Sequence, residues 1–332
     1  MSTNVFLSYA SMPAWVLIVL MLIGVALLCL GGDKLTGGAA ALGLHLKIDP
    51  VIIGLTIVAV ATSMPELFTT LLAAVMGSPD LAVGNIVGSN IVNIGLILGL
   101  AGFFWPFKCH AHLAVQEMPI LLVVTIIFCA MGYSGGVIDR KEGFVLLGIT
   151  VVYIFSIVRR RRSNTSASVE MLEEVPLRLP EMSVGRAVTW VLAGGVLLAA
   201  GSDLLVNSAI VEARNLGVGE LVIGLTIVAL GTSLPELATV IASSIKGQSG
   251  MAAGNIVGSN LFNMMLIGGG VSAISPLAFS PRLFNIEIPA MFGLTVLLWL
   301  FMRRFDKVGR VEGGALLLAY AVIIWTTVRA AA

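Results

Sequence analysis

A stretch of fifty residues occurs twice in this chain, and this duplication constrains the fold more than any other feature of the sequence. Residues 51–100 align without a gap with residues 221–270, and 26 of the 50 positions are identical. Both copies contain the heptapeptide GNIVGSN, and the same offset of 170 residues also relates Asp33 to Asp203. Repetition at one fixed offset predicts a single structural unit that is written twice.

The composition places both units in a membrane. Of 332 residues, 58% are hydrophobic and 11% are charged, whereas a soluble domain carries about 25% charged residues. The net charge of +1 offers no attraction for nucleic acid, which we exclude as a partner. A spanning helix needs about 20 mostly apolar residues. This length predicts an all-α membrane protein with ten transmembrane helices, at residues 14–31, 50–75, 81–105, 115–134, 141–158, 186–208, 220–245, 251–273, 284–302 and 311–328.

A long polar stretch that begins with RRRR separates the first five predicted spans from the last five. We predict a first five-helix repeat at residues 1–158, a linker at 159–185 and a second repeat at 186–332. If the linker is cytoplasmic, 14 Lys and Arg residues lie on the inner side of the cell membrane and 5 on the outer side, as the positive-inside rule requires. Both termini then lie outside the cytoplasm. Because five is odd, the second repeat is inverted, an architecture typical of secondary transporters with sites near the midplane.

Each repeat carries the polar motif TSxPE inside an apolar run. In the first copy, Thr62, Ser63 and Glu66 are three or four residues apart and therefore lie on one helical face. Pro65 cannot donate a hydrogen bond to the carbonyl of Ala61, so we expect the helix to break there. At membrane depth a broken backbone is tolerated only where it is buried in protein or lines a cavity. The second copy supplies the same residue types at Thr232, Ser233 and Glu236.

Glu66 and Glu236 are the only two of the 18 acidic residues that the predicted spans place near the middle of the bilayer. An ionised carboxylate there costs roughly 2.5–3.5 kcal/mol, which makes it a functional candidate. A pair of protonated glutamates that only stabilises the structure is the alternative interpretation. Their occurrence at equivalent positions of the two repeats favours a functional site.

The second polar motif, GNxxGSNxxN, adds further oxygen donors. Ser89 and Asn93 are four residues apart on one helical face, as are Ser259 and Asn263. The two glycines before each serine, also four apart, are expected to let helices pack closely. Carboxylate, hydroxyl, amide and carbonyl oxygens suit Ca²⁺ or Na⁺ and do not suit zinc or copper. Two negative charges balance either one divalent ion or two monovalent ions, which is what exchange between the two requires.

With these motifs the chain resembles the cation/Ca²⁺ antiporter superfamily, and within it the prokaryotic sodium/calcium exchanger-like proteins. The family signatures GTSxPE and GNxxGSNxxN correspond here to ATSMPE with GNIVGSNIVN, and to GTSLPE with GNIVGSNLFN. The resemblance implies two inverted five-helix repeats, four cation sites between four core helices, and alternating access. It also implies that both glutamates are central Ca²⁺ ligands shared with Na⁺. The other implied ligands are the carbonyls of Ala59, Ala229, Thr62 and Thr232, the side chains of Ser63, Ser89, Ser233 and Ser259, and those of Asn93 and Asn263.

Two positions depart from the family pattern. Asn263 stands where some relatives, including the K⁺-dependent exchangers, have an acidic residue, and this argues against K⁺ co-transport. Ala61 replaces a glycine that is retained at Gly231, which we expect to stiffen one break without changing the choice of ion.

The leading hypothesis is an antiporter, not an enzyme, that exports Ca²⁺ across the lipid bilayer in return for Na⁺ entry. We expect it to need no cofactor and to act as a monomer. Exchange of Ca²⁺ or another divalent cation for H⁺ on the same fold is the first alternative. A cation channel fits an inverted duplication less well, and an intramembrane enzyme would need a nucleophile and a base that the sequence does not offer.

Overall fold

The computed structural model describes residues 12–46, 48, 50–75, 77, 79–108, 111–163, 182–216, 229–305 and 307–331, most of them helical. The helices of the first repeat are α1 (Ala14–Leu46), α2 (Pro50–Ile53, π-helical Gly54–Val58 and Ala59–Thr62), α3 (Met64–Val75), α4 (Pro79–Ile91, π-helical Val92–Leu98 and Gly99–Phe104), α5 (π-helical Leu113–Glu117 and Met118–Gly135) and α6 (Arg140–Ser163). Those of the second are α7 (Val184–Asn215), α8 (Ala229–Thr232), α9 (Leu234–Ile245), α10 (Ser249–Phe262, π-helical Asn263–Gly268 and Gly269–Ile274), α11 (3₁₀-helical Pro281–Phe284 and Glu287–Phe305) and α12 (Arg310–Ala331).

Seven of the described helices are long and apolar enough to cross a membrane, and the bent pair of α2 and α3 makes an eighth candidate. Helix α6 has charged residues at both ends, which shortens its apolar stretch. The first part of the span predicted at residues 220–245 lies outside the described residues. Helix α9, in its second part, has 12 residues and is too short to cross a membrane by itself. The chain is therefore a helical, multi-pass membrane protein, and the number of ten spans stays a prediction.

Helices α1 and α7 pack as a close antiparallel pair. A Cβ atom added to Gly24 would lie 2.8 Å from the Gly201 carbonyl oxygen, and one added to Gly201 would lie 2.8 Å from the Gly24 oxygen. Gly31 and Gly194 face each other in the same way, at 2.9 Å in both directions. The repeat offset relates Gly24 to Gly194 and Gly31 to Gly201. The Gly24–Gly201 contact of one repeat pair therefore corresponds to the Gly194–Gly31 contact, as expected if an approximate twofold axis relates the repeats.

Both helices of this pair are longer than predicted. The expected spans were residues 14–31 and 186–208, whereas the helices contain 33 and 32 residues. Asp33 and Asp203 consequently lie inside α1 and α7 and not at their ends. The extension has a tertiary cause, because small residues along α1 allow it to stay in contact with the backbone of α7 beyond the apolar run.

Two short antiparallel sheets obey the same symmetry. Strand β1 (Phe107–Lys108) pairs with β4 (Lys307–Val308), and β2 (Val137–Ile138) pairs with β3 (Leu277–Ala278). The offset of 170 residues relates β1 to β3 and β2 to β4. Each sheet therefore ties a loop of one repeat to a loop of the other.

The core is centred on α4 and α10, which are the most deeply buried of the long helices. Ile86 of α4 and Ile256 of α10 belong to one continuous apolar cluster that also includes residues of α5 and α11. Large apolar side chains on the outer helices, such as Trp15, Val151 and Leu192, are in contrast more than half exposed. An extended apolar exterior is expected where a protein contacts lipid.

Candidate functional site

Both TSxPE motifs interrupt their helices at the serine. Ser63 has φ −82° and ψ 7°, and Ser233 has φ −89° and ψ 7°, outside the α-helical region. The helices on either side of Ser63 are bent by 45°. Pro65 and Pro235 each occupy the second position of the following helix, where a missing N–H is tolerated. The predicted break is therefore present in both repeats.

The carbonyl that the second proline leaves without a helical donor has found another one. Pro235 has no N–H to offer to the carbonyl of Gly231. Ser202 of α7 donates its hydroxyl to that oxygen at 2.6 Å. The broken turn of the second repeat is thus bonded to a helix outside the core. In the first repeat the residue equivalent to Ser202 is Gly32, which has no side chain to donate.

The two breaks meet across the twofold axis. Ser63 donates to Glu236 Oε1 at 3.0 Å, and Ser233 donates to Glu66 Oε1 at 3.3 Å. Both glutamates are buried, with exposed fractions of 1% for Glu66 and 0% for Glu236. Each carboxylate therefore contacts the serine of the opposite repeat, and the two acidic groups share one buried site.

One side chain of the GNxxGSNxxN motifs contacts this site, and the two copies of the motif contact each other. Ser259 donates to Glu236 Oε1 at 3.3 Å, and Asn93 Nδ2 donates to Asn260 Oδ1 at 3.0 Å. Ser89 and Asn263 are also buried, and their polar side-chain atoms have no hydrogen-bond partner. The site is only partly symmetric. Asn93 bonds Asn260, whereas the repeat-equivalent atoms, Asn263 Nδ2 and Asn90 Oδ1, have no partner.

Buried polar atoms without a partner concentrate in the two polar motifs. Seven of the thirteen such side-chain atoms among the described residues belong to the two glutamates or to the GNxxGSNxxN motifs: Glu66 Oε2, Glu236 Oε2, Ser89 Oγ, Asn90 Oδ1, Asn93 Oδ1, and Asn263 Oδ1 and Nδ2. Leaving a buried polar group unsatisfied costs about 1–3 kcal/mol, so a cluster of them calls for an explanation. Six of the seven are oxygens. A cation that accepts several oxygen ligands would satisfy them together.

The remaining predicted ligands lie at the breaks. Thr62 and Thr232 are buried, and the Thr62 hydroxyl donates to Ala59 O and to Asn255 Oδ1, both at 3.3 Å. The carbonyl of Ala59 also accepts the backbone N–H of Ser63 at 3.0 Å. Ala229 begins α8 directly after residues that are not described. Of the predicted ligands, the structure brings Ser63, Ser233 and Ser259 into contact with the two carboxylates. The ion-binding roles of the other predicted ligands stay predictions.

The glycines of GNIVGSN in the second repeat pack against α2, as predicted, whereas no described atom lies within 4 Å of a Cβ on Gly84 in the first repeat. A Cβ atom on Gly258 would lie 2.6 Å from the carbonyl oxygen of Leu55, and one on Gly254 would lie 2.5 Å from that of Val51. The equivalent partner of Gly84 lies outside the described residues. These close contacts hold α10 of one repeat against the broken helix of the other.

Sequence reasoning missed two residues of this site, Asn85 and Asn255. Both are buried and both bond a threonine of the opposite repeat: Asn85 Oδ1 accepts from Thr232 at 3.2 Å, and Asn255 Oδ1 accepts from Thr62 at 3.3 Å. Spacing carried a signal for them. Asn85 precedes Ser89 by four residues, as Ser89 precedes Asn93, so all three lie along one face of α4.

A family match accompanies this geometry. Residues 16–159 and 186–329 each match the family described as "Sodium/calcium exchanger protein". The chain belongs to this family. Two matched segments in one chain agree with the two repeats, and membership makes the chain a cation/Ca²⁺ antiporter, which is a transporter.

Curated relatives match this exchanger over nearly its whole length. Inner membrane protein YrbG of Escherichia coli is 34% identical, with 92% of the exchanger and 94% of the relative covered. Putative antiporter CaxA of Alkalimonas amylolytica is 36% identical, with 91% and 95% covered. Sodium/calcium exchanger MaX1 of Methanosarcina acetivorans is 27% identical, with 92% and 96% covered.

A solved structure has the same fold. The sodium-calcium exchanger NCX_Mj, soaked with 2.5 mM Na⁺ and 0.1 mM Ca²⁺, matches the exchanger with a TM-score of 0.78 at 29% sequence identity. The match covers 93% of this chain and 97% of NCX_Mj. The described part of the exchanger therefore has the fold of a sodium/calcium exchanger.

Proposed function

We propose that this exchanger moves Ca²⁺ out of the cell in return for Na⁺ entry, by alternating access, with Glu66 and Glu236 as ligands that both ions share. The observation that carries the proposal is the crossed pair of hydrogen bonds from Ser63 to Glu236 and from Ser233 to Glu66. It brings two buried carboxylates from opposite repeats to one site. Buried charges of like sign are stable together only when a counter-charge neutralises them.

The surrounding donor set supports Ca²⁺ and Na⁺ as substrates. Ca²⁺ takes 6–8 oxygen ligands, and the two glutamates alone would leave it under-coordinated. We assign the other ligand positions to Thr62, Thr232, Ser63, Ser233, Ser89, Ser259, Asn93, Asn263 and the carbonyls of Ala59 and Ala229. The unsatisfied oxygens of Ser89, Asn93 and Asn263 support this assignment. No resident cofactor is required, because the transported ions are the only groups the site has to hold.

Coupling to Na⁺ is favoured by the hydroxyls that flank the carboxylates. Serine and threonine hydroxyls coordinate a monovalent cation, but they do not carry a transported proton at neutral pH. Both MaX1 and NCX_Mj are named as sodium/calcium exchangers, which agrees with this choice. Exchange of a divalent cation for H⁺ is the second candidate, because the two buried glutamates can themselves take up protons when no cation is bound.

The proposal includes an orientation and an assembly. The excess of basic residues on one side places the linker at 159–185 in the cytoplasm and both termini outside, with five helices in residues 1–158 and five in 186–332. The exchanger acts as a monomer, because one chain supplies both halves of the site.

Purified exchanger in proteoliposomes tests the function. Vesicles loaded with Na⁺ and diluted into Na⁺-free buffer containing ⁴⁵Ca²⁺ should accumulate Ca²⁺, whether or not a pH gradient is imposed. Glu66→Gln and Glu236→Gln should each abolish uptake. Equal uptake from Na⁺-free vesicles driven by a pH gradient would instead establish H⁺ coupling, and normal transport by either glutamine variant would refute the site.

A further inference from the structure

Asn85 bonds to both repeats at once. Its Nδ2 group donates to Thr70 Oγ1 at 2.9 Å and to the Glu66 carbonyl oxygen at 3.4 Å, both in α3 of its own repeat. Its Oδ1 atom accepts the hydroxyl proton of Thr232, in the break of the other repeat, at 3.2 Å. The side chain is 5% exposed. One amide thus fixes the distance between a carboxylate-bearing helix and the opposite break.

Asn255 makes the equivalent connection with the roles of the repeats exchanged. Its Nδ2 group donates to Thr239 Oγ1 at 2.9 Å, and its Oδ1 atom accepts the hydroxyl proton of Thr62 at 3.3 Å. The threonines that accept from the two Nδ2 groups are not at equivalent positions of the repeats. Thr239 aligns with Thr69, whereas Asn85 bonds Thr70, which aligns with Val240. One residue is about 100° around a helix, so each asparagine bonds a threonine on a different side of its carboxylate helix.

These bonds close a ring around each carboxylate. Asn255 holds Thr62, whose neighbour Ser63 donates to Glu236 Oε1 at 3.0 Å. Three residues beyond Glu236, Thr239 donates to the Glu236 carbonyl oxygen at 2.9 Å and returns the ring to Asn255. The ring passes through both repeats, so any movement of one break relative to the other carboxylate has to stretch one of its bonds.

Asn85 and Asn255 differ from Asn263, an asparagine that is proposed as a ligand. Both amide atoms of Asn85 and of Asn255 are bonded to protein neighbours, whereas Asn263, eight residues beyond Asn255, is buried without a partner. An asparagine that is bonded through both amide atoms supports the groups beside it. Such supporting hydrogen bonds fix the orientation of the groups that contact the metal.

We propose that Asn85 and Asn255 are positioning residues that hold the two glutamates close enough to coordinate one Ca²⁺ together, and that they thereby set the preference for Ca²⁺ over Na⁺. The proposal rests on the proposed Na⁺/Ca²⁺ exchange. A divalent ion needs both carboxylates at about 2.3–2.6 Å. Monovalent ions bound partly by hydroxyls depend less on that spacing. Loosening the ring therefore weakens Ca²⁺ binding more than Na⁺ binding.

The test measures Na⁺-driven ⁴⁵Ca²⁺ uptake in proteoliposomes by the full chain and by the variants Asn85→Leu and Asn255→Leu. We expect the KM for Ca²⁺ to rise about tenfold or more, in the range found for supporting residues of metal sites. The Na⁺ concentration that drives half-maximal uptake and the kcat at saturating Ca²⁺ should change less than twofold. Thr70→Val and Thr239→Val, which keep the side-chain shape, should raise the Ca²⁺ KM in the same direction.

Thr69→Val is the matched control, because Thr69 occupies the repeat-equivalent position of Thr239 but is not the threonine that Asn85 contacts. It should leave both ion dependences unchanged. Unaltered Ca²⁺ KM in the valine variants, a proportional loss for Ca²⁺ and Na⁺, or an equal effect of Thr69→Val would overturn the proposal. Failure of the unmodified exchanger to couple Ca²⁺ to Na⁺ would count instead against the proposed function.

Discussion

Lys246 and Asp33 form an ion pair that joins the two repeats on one side of the molecule only. Lys246 Nζ lies 2.7 Å from Asp33 Oδ1, and it also donates to the Asp33 carbonyl oxygen and to Thr36 Oγ1, both at 3.0 Å. The repeat equivalent of Lys246 is Met76, so the sequence cannot form the matching pair with Asp203. Asp203 instead accepts a hydrogen bond from Asn207 of its own helix at 2.9 Å.

The same asymmetry appears in how the α1–α7 pair packs on the core. A Cβ atom on Gly32 of α1 would lie 2.9 Å from the carbonyl oxygen of Ala238 in α9. The repeat-equivalent residues are Ser202 and Phe68, but Ser202 bonds Gly231 and Phe68 is 66% exposed. The α1–α7 pair therefore packs against α9, and the equivalent face of α3 at Phe68 is exposed. Under the proposed alternating access, we expect the opposite state to exchange these two contacts.

Lys246→Met, which copies the residue of the first repeat, should weaken this packing and shift the balance between access states. A partly exposed pair is worth about 0.2–1 kcal/mol, which is at most about a fivefold change in a population ratio. Hydrogen–deuterium exchange should become faster where α1 contacts α9. Lys34→Met is the control, because Lys34 lies over the Trp190 ring within the α1–α7 pair, 4.7 Å from its centroid. Equal hydrogen–deuterium exchange in the parent and in Lys246→Met would show that the Lys246–Asp33 ion pair does not stabilise the contact between α1 and α9.

Removal of the Ser202 hydroxyl should destabilise the exchanger. Ser202→Ala leaves the Gly231 carbonyl without its donor, and an unsatisfied buried acceptor costs about 1–3 kcal/mol. The free energy of unfolding in detergent should fall by that amount. Thr189→Val removes an exposed hydroxyl from the same helix, where it donates to the Gly185 carbonyl at 3.0 Å, and should have little effect. A similar loss of unfolding free energy in both variants would mean that the hydrogen bond from Ser202 to Gly231 stabilises the exchanger no more than an exposed hydroxyl does.

The local features of the site could be predicted from the sequence, whereas its long-range pairing could not. Pro65 and the spacing of Thr62, Ser63 and Glu66 are encoded within one helical turn, and the break and the shared face follow from backbone geometry alone. That Ser63 bonds the glutamate of the other repeat depends on how the two units approach each other. No spacing within one unit contains that information.

The extent of α1 was underestimated for a related reason. Asp33 and Lys34 interrupt the apolar run, and a window of hydrophobicity ends there. The helix continues to Leu46 because Trp190 of α7 and Lys246, the residue after α9, provide partners for those charges. Helices α7 and α9 also make close contacts with the glycines of α1. Tertiary contacts therefore override the local pattern, as they did for Asn85, whose role depends on a threonine 147 residues away.

Ser63 should be energetically coupled to Glu236 and not to Glu66, although Glu66 is only three residues away. In a double-mutant cycle, Ser63→Ala and Glu236→Gln should be non-additive by about 0.5–3 kcal/mol in the free energy of unfolding, as contacting residues are. The cycle of Ser63→Ala with Glu66→Gln should be additive within about 0.5 kcal/mol. The reverse result would show that each serine serves its own repeat and would undo the crossed arrangement.

Gly258 should tolerate no side chain, because its backbone packs on that of α2. A Cβ atom there would lie 2.6 Å from the Leu55 carbonyl oxygen and 2.8 Å from the Leu55 Cα atom, and neither backbone atom can move aside without shifting the broken helix. Gly258→Ala should therefore lower the free energy of unfolding by about 1–3 kcal/mol, the usual cost of overpacking. Gly293→Ala, in α11 where nothing described lies within 4 Å, should leave stability unchanged or raise it. Equal free energies of unfolding for the two alanine variants would show that the close contact between α10 and α2 at Gly258 does not stabilise the broken helix.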